Sequence, residues 1–470
     1  VNLRLWTPLT LLSAALVAGC ALTPPAQPDV QGVVAPVIGQ PQAPADATQK
    51  ALDEAQALVW VQHPGLRQTI AQALTYNRDL RTALFNIERA RAQYGITSAA
   101  QLPTVAANAQ GSRARTPADL SNSGNPTTST QYTAQLAITS FELDLWGRVR
   151  NLNDAALQQF LQSEANQQNV RITLVADVAN AWLNLAANQS RLKLAQDTLA
   201  GREKAYQLTE RIHALGATSG LVLAQNRSTV ETARGDVAAF TAQVAKDRNA
   251  LALLVGNGLN PDWLPTADTL QGTQAPASLL ERPATLESTV LLSRPDVRAS
   301  ELNLRAMAAN VAAARAALFP TISLTTSVGT GSRELDNLFG TGNGSWSFVP
   351  QIRFPIFDGG SGRAAVDVAK ANREIAISQY EKTIQTAFRE ASDALAEREQ
   401  WQARLSAQEA VVAANAQAFE LSEARFTSGV DNYLTVLDAQ RSLYAAQQNL
   451  IALRLSEQAN RIALWKVLGG

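Results

Sequence analysis

Hydrophobic positions recur at three- and four-residue spacing over two very long stretches of this chain. Val170, Leu174, Val178, Trp182 and Leu185 follow one another in this way, with Arg171, Asp177, Asn180 and Asn184 elsewhere on the turn. Ile377, Ile384, Phe388, Ala391 and Leu395 continue the pattern further on. Proline, which costs about 3 kcal/mol inside a helix, is absent from 127 to 260 and from 356 to 470. Val149–His213 and Ala364–Ser428 therefore predict two continuous helices of 65 residues. At about 1.5 Å per residue each is roughly 100 Å long.

Elsewhere the spacing changes to two. Ile322, Leu324, Thr326 and Val328 alternate, and so do Trp346, Phe348, Pro350, Ile352, Phe354 and Ile356. Tyr132, Ala134, Leu136 and Ile138 alternate and then lose phase at Ser140-Phe141, as a β-bulge would cause. "TVAANAQ", after Pro103, supplies a fourth candidate strand. Polar loops at 115–130 and 331–345 link the strands in pairs. Such strands with polar loops on one side match an outer-membrane barrel. A soluble antiparallel sheet shares the alternation.

The chain also repeats itself. "AAQLPT" (99–104) is answered by "AALFPT" (316–321), and "NRDL" (77–80) by "SRPDVR" (293–298). Gly216 to Gly429 is an offset of 213, and "RNALALLVG" (248–256) to "RIALWKVLG" (461–469) has the same offset. A period this long is no solenoid unit; it indicates one duplicated structure. The expected organisation is a signal peptide at 1–19 and a lipidated N-terminus with a proline-rich tether at 20–60. A first repeat at 61–260, a linker at 261–286 and a second repeat at 287–470 follow. Each repeat holds a helix, two strands and a long helical hairpin.

Arg4, the apolar run Leu9–Ala18 and Val17-Ala18-Gly19-Cys20 have the form of a lipoprotein signal, with Cys20 acylated after cleavage. Alanine rather than aspartate follows Cys20, which suits the outer membrane. Cys20 is the only cysteine, so no disulfide or cysteine metal site is expected. Lys+Arg and Asp+Glu number 40 each, which argues against nucleic acid as a partner. Only 6% of residues are aromatic, which favours long thin helical packing over a thick core. Beyond the signal no run of about 18 apolar residues occurs, so a membrane crossing must be a β-barrel. Four strands cannot close around side chains, whereas two chains give eight and three give twelve. The fold implied is mainly α with β: four strands per chain completed by identical neighbours.

The lipobox at Cys20, "AAQLPT"/"AALFPT", "FELDLWGRVR" (141–150) with "FPIFDGGSGR" (354–363), and "GVDNYLTVLDAQRSL" (429–443) resemble the TolC-like outer-membrane efflux proteins. The match is to their OprM-type lipoprotein branch. The resemblance implies a homotrimer with a twelve-stranded transmembrane β-barrel continuous with a long periplasmic α-helical barrel. The implied role is the exit duct of a tripartite efflux system in the cell outer membrane. Its implied partners are a periplasmic adaptor (membrane fusion) protein, an inner-membrane RND-type transporter and outer-membrane lipid. A protein-secretion duct, or a lipid-anchored periplasmic scaffold without a pore, are the alternatives. No enzymatic activity and no cofactor are expected beyond the covalent lipid on Cys20.

On that resemblance the hairpins reverse at Gly216 and Gly429. Leu215, Gly216 and Ala217, with Ser428, Gly429 and Val430, become the tips that dock on the adaptor. Leu434, Asp438 and Arg441 share one helix face by spacing. The resemblance turns that face to the lumen, as an apolar constriction, an acidic ring and a neighbouring base. An exposed i,i+3 ion pair is the plainer alternative. Leu221, Gln225 and Asn226 stand near the first tip without an acid. His63 and His213 lack metal-ligand company. "GTGNGS" (340–345) has no lysine after its glycines, and "DGGSGR" (358–363) reads as a connection. Trp146, Trp346, Phe354 and Phe357 suit either an aromatic girdle or packing where strands meet helices.

Overall fold

The computed structural model describes residues 61–272 and 286–469, apart from 62, 123 and 257, and the pair 37–38. The signal segment and Cys20 lie outside the described residues. In chain order the elements are β1 (Val37–Ile38), α1 (Pro64–Tyr76), α2 (Arg78–Ala99), β2 (Val105–Thr116), β3 (Thr127–Leu143), α3 (Arg148–Ala214) and α4 (Gly220–Val255). There follow α5 (Thr269–Gly272), β4 (Leu286–Glu287), α6 (Pro295–Ala316), β5 (Thr321–Ser332), β6 (Gly344–Arg353), α7 (Ser361–Thr427) and α8 (Tyr433–Val467). Helix, two strands, very long helix and return helix thus occur twice. β1 and β4 form a separate two-residue ladder.

The proline-free stretches are the two longest helices. α3 and α7 each span 67 residues, within three residues of the expected limits at every end. Both begin on an aspartate. The Asp144 carboxylate accepts from the backbone N–H of Val149 and Arg150 at 3.1 and 2.8 Å. Asp358 accepts from Gly360 and Gly362 at 2.9 and 2.7 Å. These donors have no partner within the helix, so an anion here stabilises the start. The N–H groups of Gly362 and Gly360 hold the Asp358 carboxyl below the usual carboxylate range. Of "DGGSGR", read as a connection, 358–360 form it and 361–363 are already the first turn of α7.

The residues fall into two compact units, each drawing on both repeats. The first combines Asn86–Glu164 with Ala299–Tyr380 and contains the four-stranded sheet. Its order is β2-β3-β5-β6, antiparallel throughout. The bulge is where the lost phase put it. Pairing of β3 with β5 slips between Ile138 and Phe141, and Ser140 takes φ 54° to absorb the extra residue.

Expectations about the loops and about the end of β6 need correction. β2 runs to Thr116 and β3 begins at Thr127, because threonines and alternating polar residues pair in the hairpin ladder as readily as apolar ones. The loop is therefore shorter than 115–130, and the second one lies between Ser332 and Gly344. β6 stops at Arg353, so Phe354 and Ile356 continue the alternation outside the strand, where Pro355 cannot donate to a ladder. Trp146 packs at the helix junction. Its ring stacks on Phe319 at 4.9 Å and its Nε1–H donates to the Pro320 carbonyl at 2.8 Å. Trp346, Phe354 and Phe357 remain exposed.

The register separates the sheet's two faces. Ala107, Leu136, Val328 and Trp346 lie opposite one another across the four strands, as do Val105, Ile138, Thr326 and Phe348. Leu143, Ile322 and Ile352 extend the same face towards the helices. The other face carries Asn108, Gln110, Gln135, Ser327 and Ser347. From Ile322 to Thr330 the apolar face runs about 26 Å along the strand, or about 20 Å of height at a 40° tilt. It is bare: Trp346 is 79% and Val328 61% exposed. Among the described residues neither outer edge, on β2 or on β6, has a partner strand.

The second unit holds the main hydrophobic core, packed around Trp182, Leu185, Leu251, Ile70 and Ile462. The Trp182 Nε1–H donates to the Trp263 carbonyl at 2.9 Å, and its ring meets His63 at 4.8 Å. His63 in turn caps α1 by accepting from the Gly65 N–H. Each repeat also fastens the start of a helix to the end of a return helix. Asn77 donates to the Leu254 carbonyl at 2.9 Å, and Arg294 to the Val467 carbonyl at 3.4 Å. Arg294 is almost fully buried and pairs with Asp296 at 2.8 Å and Glu390 at 3.0 Å.

Candidate gate and tip turns

Both hairpin turns lie in the second unit and close by the same hydrogen bonds. At the first, the Gly216 N–H donates to the His213 carbonyl (2.8 Å) and Ala217 to Ile212 (3.0 Å). At the second, Gly429 donates to Phe426 and Val430 to Arg425, both at 2.9 Å. This is the Schellman closure, which requires a left-handed residue just past the helix. Gly216 has φ 75° and Gly429 φ 74°. Each turn then restarts a helix on a polar cap. Ser219 accepts from the Val222 N–H, and Asn432 from Thr435. Leu215 and Val430 project from the turns, 83% and 62% exposed.

The fastenings of the two turns differ. In the first, His213 Nδ1 donates to the Thr218 carbonyl at 2.8 Å. In the second, Arg425 grips Asp431 through two nitrogens at 2.6 and 3.2 Å, and Phe426 meets Tyr433 edge-on at 5.1 Å. The Arg425 guanidinium holds the Asp431 carboxyl below its usual range.

Leu434, Asp438 and Arg441 lie on one exposed face of α8, opposite buried Val436 and flanked by buried Leu437. Arg441 Nη1 stands 3.5 Å from Asp438 Oδ1, with both side chains more than half exposed. Within one chain this i,i+3 contact is worth well under about 1 kcal/mol. The first hairpin differs in kind. Leu221 is exposed, but Asn226 is buried and donates to Thr209 Oγ1 at 3.0 Å.

One cluster escapes sequence reading. Arg202 on α3 is buried, donates to the Thr229 carbonyl of α4 at 3.0 Å and lies 5.7 Å over the Tyr444 ring of α8. The Tyr444 hydroxyl contacts Asp236 Oδ2 at 3.2 Å. Burial lowers the Arg202 pKa and raises that of Tyr444. The hint in the sequence is the repeat offset, at which Arg202 corresponds to a neutral Asn415. Among the described residues no three potential metal ligands come together, and no helix is long and apolar enough to cross a membrane.

A four-stranded sheet with one apolar face and open edges, joined in sequence to two long helical hairpins with matching turns, defines a subunit of an outer-membrane channel. The chain belongs to the outer membrane efflux protein family, whose model matches residues 69–257 and 286–470. It is 43% identical over 464 residues to the antibiotic efflux pump outer membrane protein ArpC of Pseudomonas putida, covering 98% of this chain and 94% of the relative. A membrane protein from Pseudomonas aeruginosa, known as a crystal structure, superposes with a TM-score of 0.83 at 38% identity, over 92% of this chain and 97% of the other. The open state of the Neisseria gonorrhoeae MtrE outer membrane channel gives 0.77 at 37% identity, over 92% and 98%.

Proposed function

We propose that three copies of this chain form the exit duct of a tripartite efflux pump, carrying small solutes from the periplasmic side to the exterior. The observation that carries this reading is the sheet: an exposed apolar face, a polar face behind it and two unpaired edges. In hydrocarbon each unpaired backbone group costs several kcal/mol. Identical neighbours remove that cost by pairing β2 of one chain with β6 of the next. Three chains give twelve strands, enough to enclose water along the polar face. The other parts take their roles from this closure. The exposed tips, at Leu215–Ala217 and Ser428–Val430, offer the adaptor a surface, and the adaptor links the duct to an inner-membrane transporter. Leu434 narrows the periplasmic end, Asp438 contributes an acidic ring that favours cations, and Arg441 lies within reach to pair with it. The lipid on Cys20 holds the N-terminus to the membrane. Relatives named for antibiotic or toluene efflux support small, largely apolar cargo.

The test is the mass and electrical activity of the detergent-purified complex. A three-chain particle that conducts ions in planar bilayers is the expected result. A stably inserted monomer without conductance, or an elongated rod released from membranes without detergent, would refute it.

A further inference from the structure

On the apolar face of the sheet the chemistry changes in order towards the strand-linking loops. β2 pairs with β3 without interruption from Val105 opposite Ile138 to Thr116 opposite Thr127. Pleating therefore puts Val105, Ala107, Ala109, Gly111, Arg113 and Arg115 on one face. Above the apolar rows comes Tyr132, whose ring lies over Gly111, 3.1 Å from where a Cβ would stand. Next come Arg113 and Arg115, opposite the hydroxyls of Thr130 and Thr128. Arg113 is about 13 Å along the strand from Ala109. Both arginines are exposed and, among the described residues, neither has an ion pair or side-chain hydrogen bond. Apolar, then aromatic, then cationic is the profile of a surface passing from hydrocarbon through the interface to headgroups.

We infer that Arg113 and Arg115 form a binding site for the phosphate of a phosphorylated glycolipid in the outer leaflet. The inference rests on the outer-membrane reading above, which turns the apolar face to lipid and the loops outward. A guanidinium fork matches phosphate oxygens through paired N–H donors, and the threonine hydroxyls can add bonds to phosphate or sugar. Two unpaired arginines directly above an apolar band fit an amphiphile with an anionic head. A pore-facing role would need them on the opposite face, with Asn108 and Gln135.

The test is native mass spectrometry of the detergent-purified complex with added diphosphorylated lipid A, its dephosphorylated form, or inorganic phosphate. Wild type should retain the phosphorylated lipid. Arg113→Gln with Arg115→Gln should retain it about tenfold less, and Arg113→Lys with Arg115→Lys should recover part of the loss. Equal retention by wild type and the glutamine double variant overturns the site. So does equal retention of the dephosphorylated lipid, or displacement by equimolar inorganic phosphate, which would mark a plain anion site. Conductance is measured on the same preparations in phospholipid bilayers. Channels that conduct while lipid retention ignores the arginines sink this inference alone, whereas a wild type that does not conduct sinks the duct reading.

Discussion

Two glycines with nearly the same backbone angle should respond differently to the same substitution. Gly429 (φ 74°) has nothing within 4 Å of a built Cβ. Gly256 (φ 79°), at the end of α4, would put a Cβ 2.5 Å from the Tyr76 carbonyl oxygen and 3.0 Å from its carbon. The left-handed angle costs a non-glycine residue about 1–2 kcal/mol at either site. Alanine also restricts the unfolded chain, which returns about 0.4–1 kcal/mol at both and cancels in the comparison. Gly429→Ala should therefore cost about 1 kcal/mol or less. At Gly256 the Tyr76–Asn77 backbone must retreat, and that strains the Asn77 bond to the Leu254 carbonyl. Losing that bond adds about 1 kcal/mol and loosening α1 from α4 adds about as much again, so Gly256→Ala should cost about 3 kcal/mol. Asparagine separates the two causes, since it tolerates the left-handed region but carries a Cβ. Thermal unfolding of the purified complex, followed by tryptophan fluorescence, should rank Gly429→Asn mildest, with Gly256→Asn about 2 kcal/mol worse because only the clash remains. A Gly256→Asn variant as stable as Gly429→Asn would refute the steric account.

Asp438→Asn should lower the cation-to-anion permeability ratio in planar bilayers, because the acid is exposed and held only by a 3.5 Å contact. An unchanged ratio places Asp438 away from the ion path. Arg294→Ala should destabilise the complex by about 2–3 kcal/mol, below the range for a fully buried pair because Asp296 and Glu390 are partly exposed. Adding Glu390→Gln should restore part of that in the same melting assay, and no recovery would mean Glu390 does not depend on Arg294. The Arg425–Asp431 clip has a defined pH window. The Asp431 pKa is depressed in the fold, so the clip's contribution is complete above the unfolded value near 3.9 and is lost as pH falls through the lower folded value. Hydrogen exchange at Gly429 and Val430, corrected for its intrinsic pH dependence, should therefore show constant protection from pH 8 to about 5. Protection already lost at pH 6 would exclude the clip as its source.

Local signals were legible in this sequence, and contacts that depend on chain return were not. Proline absence located α3 and α7 because one proline would have broken either helix. The slipped alternation at Ser140-Phe141 revealed the bulge because side chains in a strand have a strict period of two. The turn glycines were readable as well, since the Schellman closure needs a left-handed residue. Strand ends are not legible where threonines extend β2 and β3, since alternation of polar with polar leaves no trace. Asn77 and Leu254 are 177 residues apart, and nothing near either announces the bond between them. Arg202 and Tyr444 meet only because helices far apart in sequence pack together in the second unit. The face of α8 bearing Leu434, Asp438 and Arg441 was legible from spacing, but a single chain holds nothing that an acidic ring could close upon.

The duplication preserves positions more faithfully than side chains. Leu254 to Val467 is the same offset of 213 as Gly216 to Gly429. Both carbonyls lie at the end of a return helix, where backbone acceptors have no partner within the helix, and each receives a side-chain donor. The donor is a neutral amide in the first copy and a guanidinium, held by two carboxylates, in the second. The tips are fastened differently as well, by donors one position out of register with the offset. His213 bonds the Thr218 carbonyl in the first, and Arg425 grips Asp431 in the second. At the proposed gate the second copy has Asp438 where the first has Gln225, again 213 residues apart. Once the scaffold contact is fixed by backbone geometry, either kind of donor satisfies it, so the copies are free to diverge in charge. Only the charged copy then answers to ions, and a gate on one hairpin needs no matching change in the other.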